Sequence, residues 1–271
     1  SWKLWLYPRK KCVSVPEMAL SANDTLAKYL AAGTEKSDLY VTDTLSETLL
    51  SKLEEGKTAI LLYEHLARRN TWQLPGALER FKPCIWDRGS NLGGIVQNAA
   101  VKESVSAETF FDLNMQPLLE AGYKVNLDHF PCPVEEHIQG IDKPVRDRMK
   151  GLLQGISHFI DDDTLRKFSH LFSLNVGKGK LIVCTFNLSN PENPVVANLL
   201  KLLIDGYAKL ATDKQIGAAE FKTWLDEINV DGIRPEDVMN HFWEIDNKPV
   251  EDKLFWEEAK VDLSKKAPKK K

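Results

Sequence analysis

The chain has 271 residues, 43% of them hydrophobic, with 36 basic against 39 acidic side chains and a net charge of −3. Five of the lysines lie in the tail at residues 265–271, so the remainder carries 31 basic against 39 acidic groups, a net −8 that offers no broad basic face to nucleic acid. A mean hydropathy of −0.32, with no apolar run long enough to cross a bilayer as a helix, argues against a membrane span, and the length allows one large domain with a small one beside it.

In chain order, the aromatic-rich residues 2–7 read as a first strand and residues 21–32 as a helix that stops at Gly33. Residues 38–42 form a short apolar strand. Thr44-Leu-Ser-Glu47 has the spacing of a capping box, and Leu45, Leu49 and Leu53 mark one face of the helix it opens. Gly56 ends that helix. Thr58-Ala-Ile-Leu-Leu-Tyr63 is a continuous apolar run, expected of a strand covered on both faces. Alternation of strand and helix at this spacing predicts a parallel α/β sheet.

The middle is less regular. Residues 92–96 suggest a strand and residues 106–121 a helix that Pro117 kinks or splits. Residues 123–129 are strand-like, and residues 131–148, with three prolines, read as loop. Residues 152–160 and 168–176 follow as strands. In the latter, Phe172, Leu174 and Val176 alternate with Ser173 and Asn175, which predicts one wet face. Gly177-Lys178-Gly179 turns the chain into an apolar strand at 181–186.

The helix after Pro194 is apolar almost all round and belongs against the sheet. Beyond Asp213 two short amphipathic stripes appear: Phe221, Trp224, Leu225 and Ile228, then Val238, Phe242 and Ile245. These divide the chain into an α/β domain at 1–212, a small helical appendage at 213–262 and a disordered lysine-rich tail at 263–271.

The run Val176-Gly-Lys-Gly-Lys-Leu-Ile-Val-Cys-Thr-Phe-Asn-Leu188, together with the capping-and-strand pattern at 38–63, resembles a domain near the C-terminus of bacterial glycoside hydrolases of family 2, the β-galactosidase-like enzymes. That domain is similar to a class I glutamine amidotransferase without its catalytic residues. The resemblance spans residues 1–210. It implies a flavodoxin-like or amidotransferase-like α/β sheet flanked by helices, a non-catalytic accessory role, and a periplasmic or extracellular parent enzyme. It also implies partners in upstream sandwich and barrel domains of the same polypeptide, or in a second copy, and no cofactor. In the amidotransferase fold the nucleophilic Cys sits on a glycine-flanked strand-to-helix turn; the matching residues here, Leu62-Tyr-Glu-His-Leu66, contain neither Cys nor Gly. The late-strand His and acid are replaced by Asn187-Leu-Ser-Asn190.

In an open parallel sheet the ligand crevice lies beyond the C-terminal ends of the strands, which here deliver Tyr7-Pro-Arg9, Asp43, Glu64, His65 and Asn187. Asp43, Glu64 and His65 are the residues around which a self-contained hydrolase would be built; the blander reading has Glu64 and His65 bonding locally. Glu103 and Glu108 are also carboxylates, read as lying in a polar loop and at a helix start, where Glu is simply expected. Trp72 and Trp86, near Arg68 and Asp87, suit either a sugar-stacking surface of a carbohydrate-binding module or an interdomain anchor. The apolar residues between 68 and 86 are expected to form an exposed patch. Cys12, Cys84, Cys132 and Cys184 have no metal-binding spacing; Cys84 and Cys132 leave a disulfide open. No dinucleotide or phosphate-loop signature is present.

Overall fold

The computed structural model describes residues 7, 12, 14–20, 24–31, 34–63, 70–78, 94–119, 123–128, 130–141 and 167–229. Expectations for residues 2–6, 152–160 and everything past 229 fall outside them. The described strands are β1 (Ser14–Ala19), β2 (Thr34–Thr42), β3 (Thr58–Leu62), β4 (Gly76–Leu78), β5 (Gly94–Val96), β6 (Tyr123–Asn126), β7 (Glu135–Gly140), β8 (Phe168–Val176), β9 (Gly179–Cys184) and β10 (Gln215–Ile216). The helices are α1 (Asp24–Leu30), α2 (Glu47–Glu54), α3 (Ala99–Val105), α4 (Gln116–Leu119), α5 (Pro194–Asp205) and α6 (Ala218–Ile228).

All ten strands join one mixed sheet. β1, β2, β3 and β9 run parallel in that spatial order, and the sheet turns antiparallel where β9 meets β8. Ser169 of β8 pairs with Val125 of β6 on one edge and Gln139 of β7 on the other. β8 therefore carries β9 and β6 along one edge, and β7 and the short parallel β10 along the other. The α/β architecture read from the sequence is present, and both apolar runs singled out there, β3 and β9, are interior strands.

Side-chain alternation sorts the core into two layers. Leu39, Val41, Ile60, Leu62, Ile182 and Cys184 face α1, α3, α4 and α5, whereas Tyr40, Leu61, Tyr63, Leu181, Val183, Phe172 and Leu174 face α2 and α6. α5 buries Val195, Val196, Leu199, Leu200, Leu202, Leu203 and Ile204, each contributing roughly 1.5–3 kcal/mol of apolar transfer energy. Asn193 caps its first turn, accepting from Val195 N at 3.0 Å, and Pro194 starts it without needing an N–H. α6, within the segment 213–262 read from sequence as a helical appendage, places Phe221, Trp224 and Leu225 in the second core, with Trp224 against Phe130 and Phe130 edge-on to Phe172.

Four local expectations give way to tertiary contacts. The Thr44/Glu47 capping box does not form: α2 starts after Ser46, which makes no side-chain cap, while the Thr44 hydroxyl sits 3.2 Å from that of Thr42. The helix expected at 106–121 lies earlier. Asn98 Oδ1 caps α3 through Ala100 and Val101 N, and Ser106 ends it at φ 51°. Residues 109–111 then run beside β5, and Pro117 opens α4 instead of kinking a long helix. The region read as loop at 131–148 holds β7, whose Glu-Glu-His-Ile sequence lacks an apolar period. The wet face of β8 is covered: Ser173 is fully buried and Asn175 half-buried, because β7, β10 and the turn after α5 close over them.

Gly179 opens β9 with its α-carbon against α2; a Cβ there would meet Lys57 O at 2.5 Å and Leu53 O at 2.6 Å. Backbone cannot give way as a side-chain tip does. Gly179→Ala is expected to lower stability by about 1–3 kcal/mol, read as a drop in urea midpoint at unchanged m-value.

Candidate functional site

The C-terminal ends of β2, β3 and β9 lie side by side, in register through Thr42 with Leu61 and Leu62 with Cys184. Asp43 follows β2 and is 6% exposed, so its carboxylate does not stand open in a crevice. Thr42 beside it donates to Ala19 O at 3.1 Å, which ties the ends of β1 and β2 together. Asn187, beyond β9, spends its side-chain oxygen on a local turn, accepting from Ser189 N at 3.0 Å and Ser189 Oγ at 2.6 Å. Glu64, His65, Arg68, Trp86, Asp87 and Cys84 lie outside the described residues.

Tyr63, at the end of β3, grips the segment that returns along the sheet. Its hydroxyl donates to Gln73 Oε1 at 2.6 Å and accepts from Leu74 N at 3.0 Å, and Tyr123 donates to Leu74 O at 2.8 Å. Trp72 is 4% exposed, and its indole N–H donates to Asp226 Oδ1 of α6 at 2.8 Å. Lys222 lies 5.2 Å over the same ring and pairs with Asp226 and Glu47. Asn229 closes the join from the other side, accepting from Gln73 N at 2.8 Å and donating to Gln73 O. Trp72 and Leu74 are thus covered by this chain's own second core. In the described part of 68–86 they form no exposed patch.

Among the described residues the structure assembles a constellation with no local signature in the sequence. His137 on β7 reaches Ser173 on β8 at 2.9 Å through Nε2, and Asn98 Nδ2 lies 3.2 Å from its Nδ1. Serine, histidine and an orienting amide in hydrogen-bond contact is the pattern of a nucleophile with its base. The bond directions run the other way. Asn98 Oδ1 is committed to the α3 cap, so the amide N–H donates to His137 Nδ1 and to Lys209 O at 3.2 Å. An accepting Nδ1 places the imidazole proton on Nε2, which donates to Ser173 Oγ, and Ser173 passes its own proton to Leu210 O at 3.3 Å. In this tautomer the imidazole has no lone pair for the serine. The relay instead fastens β7, β8, the start of α3 and the turn after α5.

Burial, assisted by Lys180, pulls His137 down to about 4, so it is neutral near pH 7. His170 is held in the same way: wholly buried and near Lys124, it falls to about 3, with Nδ1 3.1 Å from Tyr123 O and its ring stacked 4.9 Å from Phe186. Thr185 Oγ1 also donates to Tyr123 O. The thiols of Cys12 and Cys184 are pushed by burial up to about 12 and hold no thiolate at neutral pH. Among the described residues no group of three or more His, Cys, Asp or Glu could hold a metal ion.

A scan against models of known protein families finds no match for this sequence, and a search of curated proteins finds none either.

Two measurements check this account. Because both histidines resist protonation in the fold while unfolded histidine titrates near 6.5, acid favours the unfolded chain: stability falls from about pH 6.5 downward, by roughly 1.4 kcal/mol per pH unit for each histidine until its folded pKa is reached. Urea melts at pH 7 and pH 5 should show this, and His137→Gln should remove one histidine's share of the slope. Trp72→Ala should cost about 3–5 kcal/mol, as for a core aromatic; a cost under about 1 kcal/mol would mark Trp72 as a surface residue.

Proposed function

We propose that this chain is a non-catalytic accessory domain, flavodoxin-like or amidotransferase-like, that serves a carbohydrate-degrading glycoside hydrolase by packing on its catalytic domains. The observation that carries the reading is the use made of the polar groups. Asp43 is buried, Asn187 closes its own turn, Tyr63 holds the Gln73 side chain and the Leu74 N–H, and the Ser173–His137 couple is wired in the tautomer that cannot act as a base. A site that performs chemistry keeps its titratable groups convergent and reachable; these bonds spend them on the fold.

The resemblance at 176–188 and 38–63 supports the association with family 2 glycoside hydrolases and, through it, a periplasmic or extracellular parent enzyme. Packing on neighbouring sandwich or barrel domains, or on a second copy, would cover apolar surface. Phe110 and Leu113, 63% and 68% exposed, are described side chains of that kind. A sugar-stacking role for Trp72 finds no support in its burial against α6.

The chain on its own is expected to hydrolyse neither aryl glycosides nor glutamine above the uncatalysed background. Turnover that co-purifies with the protein and disappears in Asp43→Asn would replace this reading with a hydrolase built on the strand ends.

A further inference from the structure

The face of α5 that turns towards α3 breaks the rule the rest of that helix follows. Val195, Val196, Leu199, Leu200, Leu202, Leu203 and Ile204 are apolar and buried, yet Asn198 among them is only 4% exposed. Asparagine is a poor interior helix residue, and its amide loses water on burial. Its Oδ1 has no hydrogen-bond partner, and neither does Ser104 Oγ on α3. Each unsatisfied buried oxygen costs the fold stability, and a sequence free to place leucine there has kept a polar group instead.

Both residues line the same groove. It lies between α3 and α5, has a volume of about 260 Å³, and is completed by Ala100, Leu202 and the turn after α5. This is just under the roughly 300–1,000 Å³ of sites that take drug-sized molecules, which suits a ligand of one sugar ring. Its rim is charge-balanced. Lys201 and Asp205 pair at 2.7 Å, and Asp205 also accepts from Ser14 N at 2.9 Å; exposed Glu103 and Lys209 supply one charge of each sign.

We infer that the groove between α3 and α5 is a binding site for a small neutral polyol of monosaccharide size. Asn198 Oδ1 calls for a donor, Ser104 Oγ takes either role, Glu103 accepts and Lys209 donates. Hydroxyl groups, each donor and acceptor at once, meet all four without bringing a charge to a rim that is already balanced. Both oxygens belong to residues that line the groove, and rotation about χ2 of Asn198 or χ1 of Ser104, both single-bond motions, re-aims them. Ala100 and Leu202 give the apolar side on which the C–H face of a ring rests. Nothing in this site uses the strand ends, so it stands or falls separately from the accessory role.

The test is a titration of the full 271-residue chain, isotope-labelled, with D-galactose and D-glucose, followed by amide and side-chain NMR shifts, with alanine as a zwitterionic control. Saturable shifts at Ser104, Asn198 and Lys209 are expected in the millimolar range. Asn198→Leu and Ser104→Ala should each weaken binding about tenfold, the worth of one hydrogen bond. Asn198→Leu should also raise the thermal midpoint, because the buried oxygen is stabilised only by ligand; a purely structural asparagine would lower it. If Asn198→Leu fails to fold, Ser104→Ala decides: binding weakened about tenfold supports the site, and unchanged binding overturns it. Absence of saturable shifts with either sugar, shifts indifferent to both substitutions, or a preference for alanine would each overturn it.

Discussion

The fold depends on β8 being paired along both edges. Its nine residues carry β9 and β6 on one side and β7 and β10 on the other, so one strand joins the parallel half of the sheet to the antiparallel half. A strand in that position has no face or edge left for water, and eight of its nine residues are buried, Asn175 being the exception. Its polar side chains must then find partners inside the protein. Ser169 donates to Ile138 O at 2.8 Å, Ser173 joins the His137 relay, and Asn175 donates to Thr212 O. The buried histidines follow from the same constraint.

That requirement explains why arrangements resembling chemistry occur in so well-packed a protein. Two strands that pair with side chains on one face bring a serine and a histidine together by geometry alone. What separates a relay from a catalytic couple is the direction of its hydrogen bonds, and here the α3 cap sets it. By taking both lone pairs of Asn98 Oδ1, the helix start turns the amide N–H onto His137 and fixes the tautomer. A local need of one helix thereby decides the protonation pattern of a site on the sheet.

The second core shows how the C-terminal helix becomes part of the main body. Trp72, Gln73 and Leu74 form a short seam whose backbone and side chains bond outward in two directions, to Tyr63 and Tyr123 on the sheet and to Asp226 of α6 and Asn229 just past its end. Aromatic residues suit such a seam because each buries a large apolar area and ends in one polar group that needs a partner. The α5–α3 contact lacks this economy. Two buried oxygens there, Ser104 Oγ and Asn198 Oδ1, stay unanswered, and both residues line one groove.

The sequence alone determined the strands whose residues are apolar on both faces, β3 and β9, the turn at Gly177 and Gly179 between β8 and β9, and the buried helix after Pro194. In these segments local composition and final burial agree, because a run covered on both faces admits only apolar residues. It also marked Asp43 and Asn187 as lying beyond strand ends. Tertiary structure alone decided the rest. β7 is polar in sequence and becomes a strand because β8 offers it an edge. α3 starts after Asn98 because that amide caps it, although the sequence reading placed a helix later, at 106–121. Trp72 carries the same chemistry whether it meets a sugar or Asp226, and only the position of α6 chooses between them. The pairing of His137 with Ser173 across 36 residues, and the placing of Ser104 and Asn198 in the lining of one groove, depend on strand register and helix packing, which no local pattern encodes.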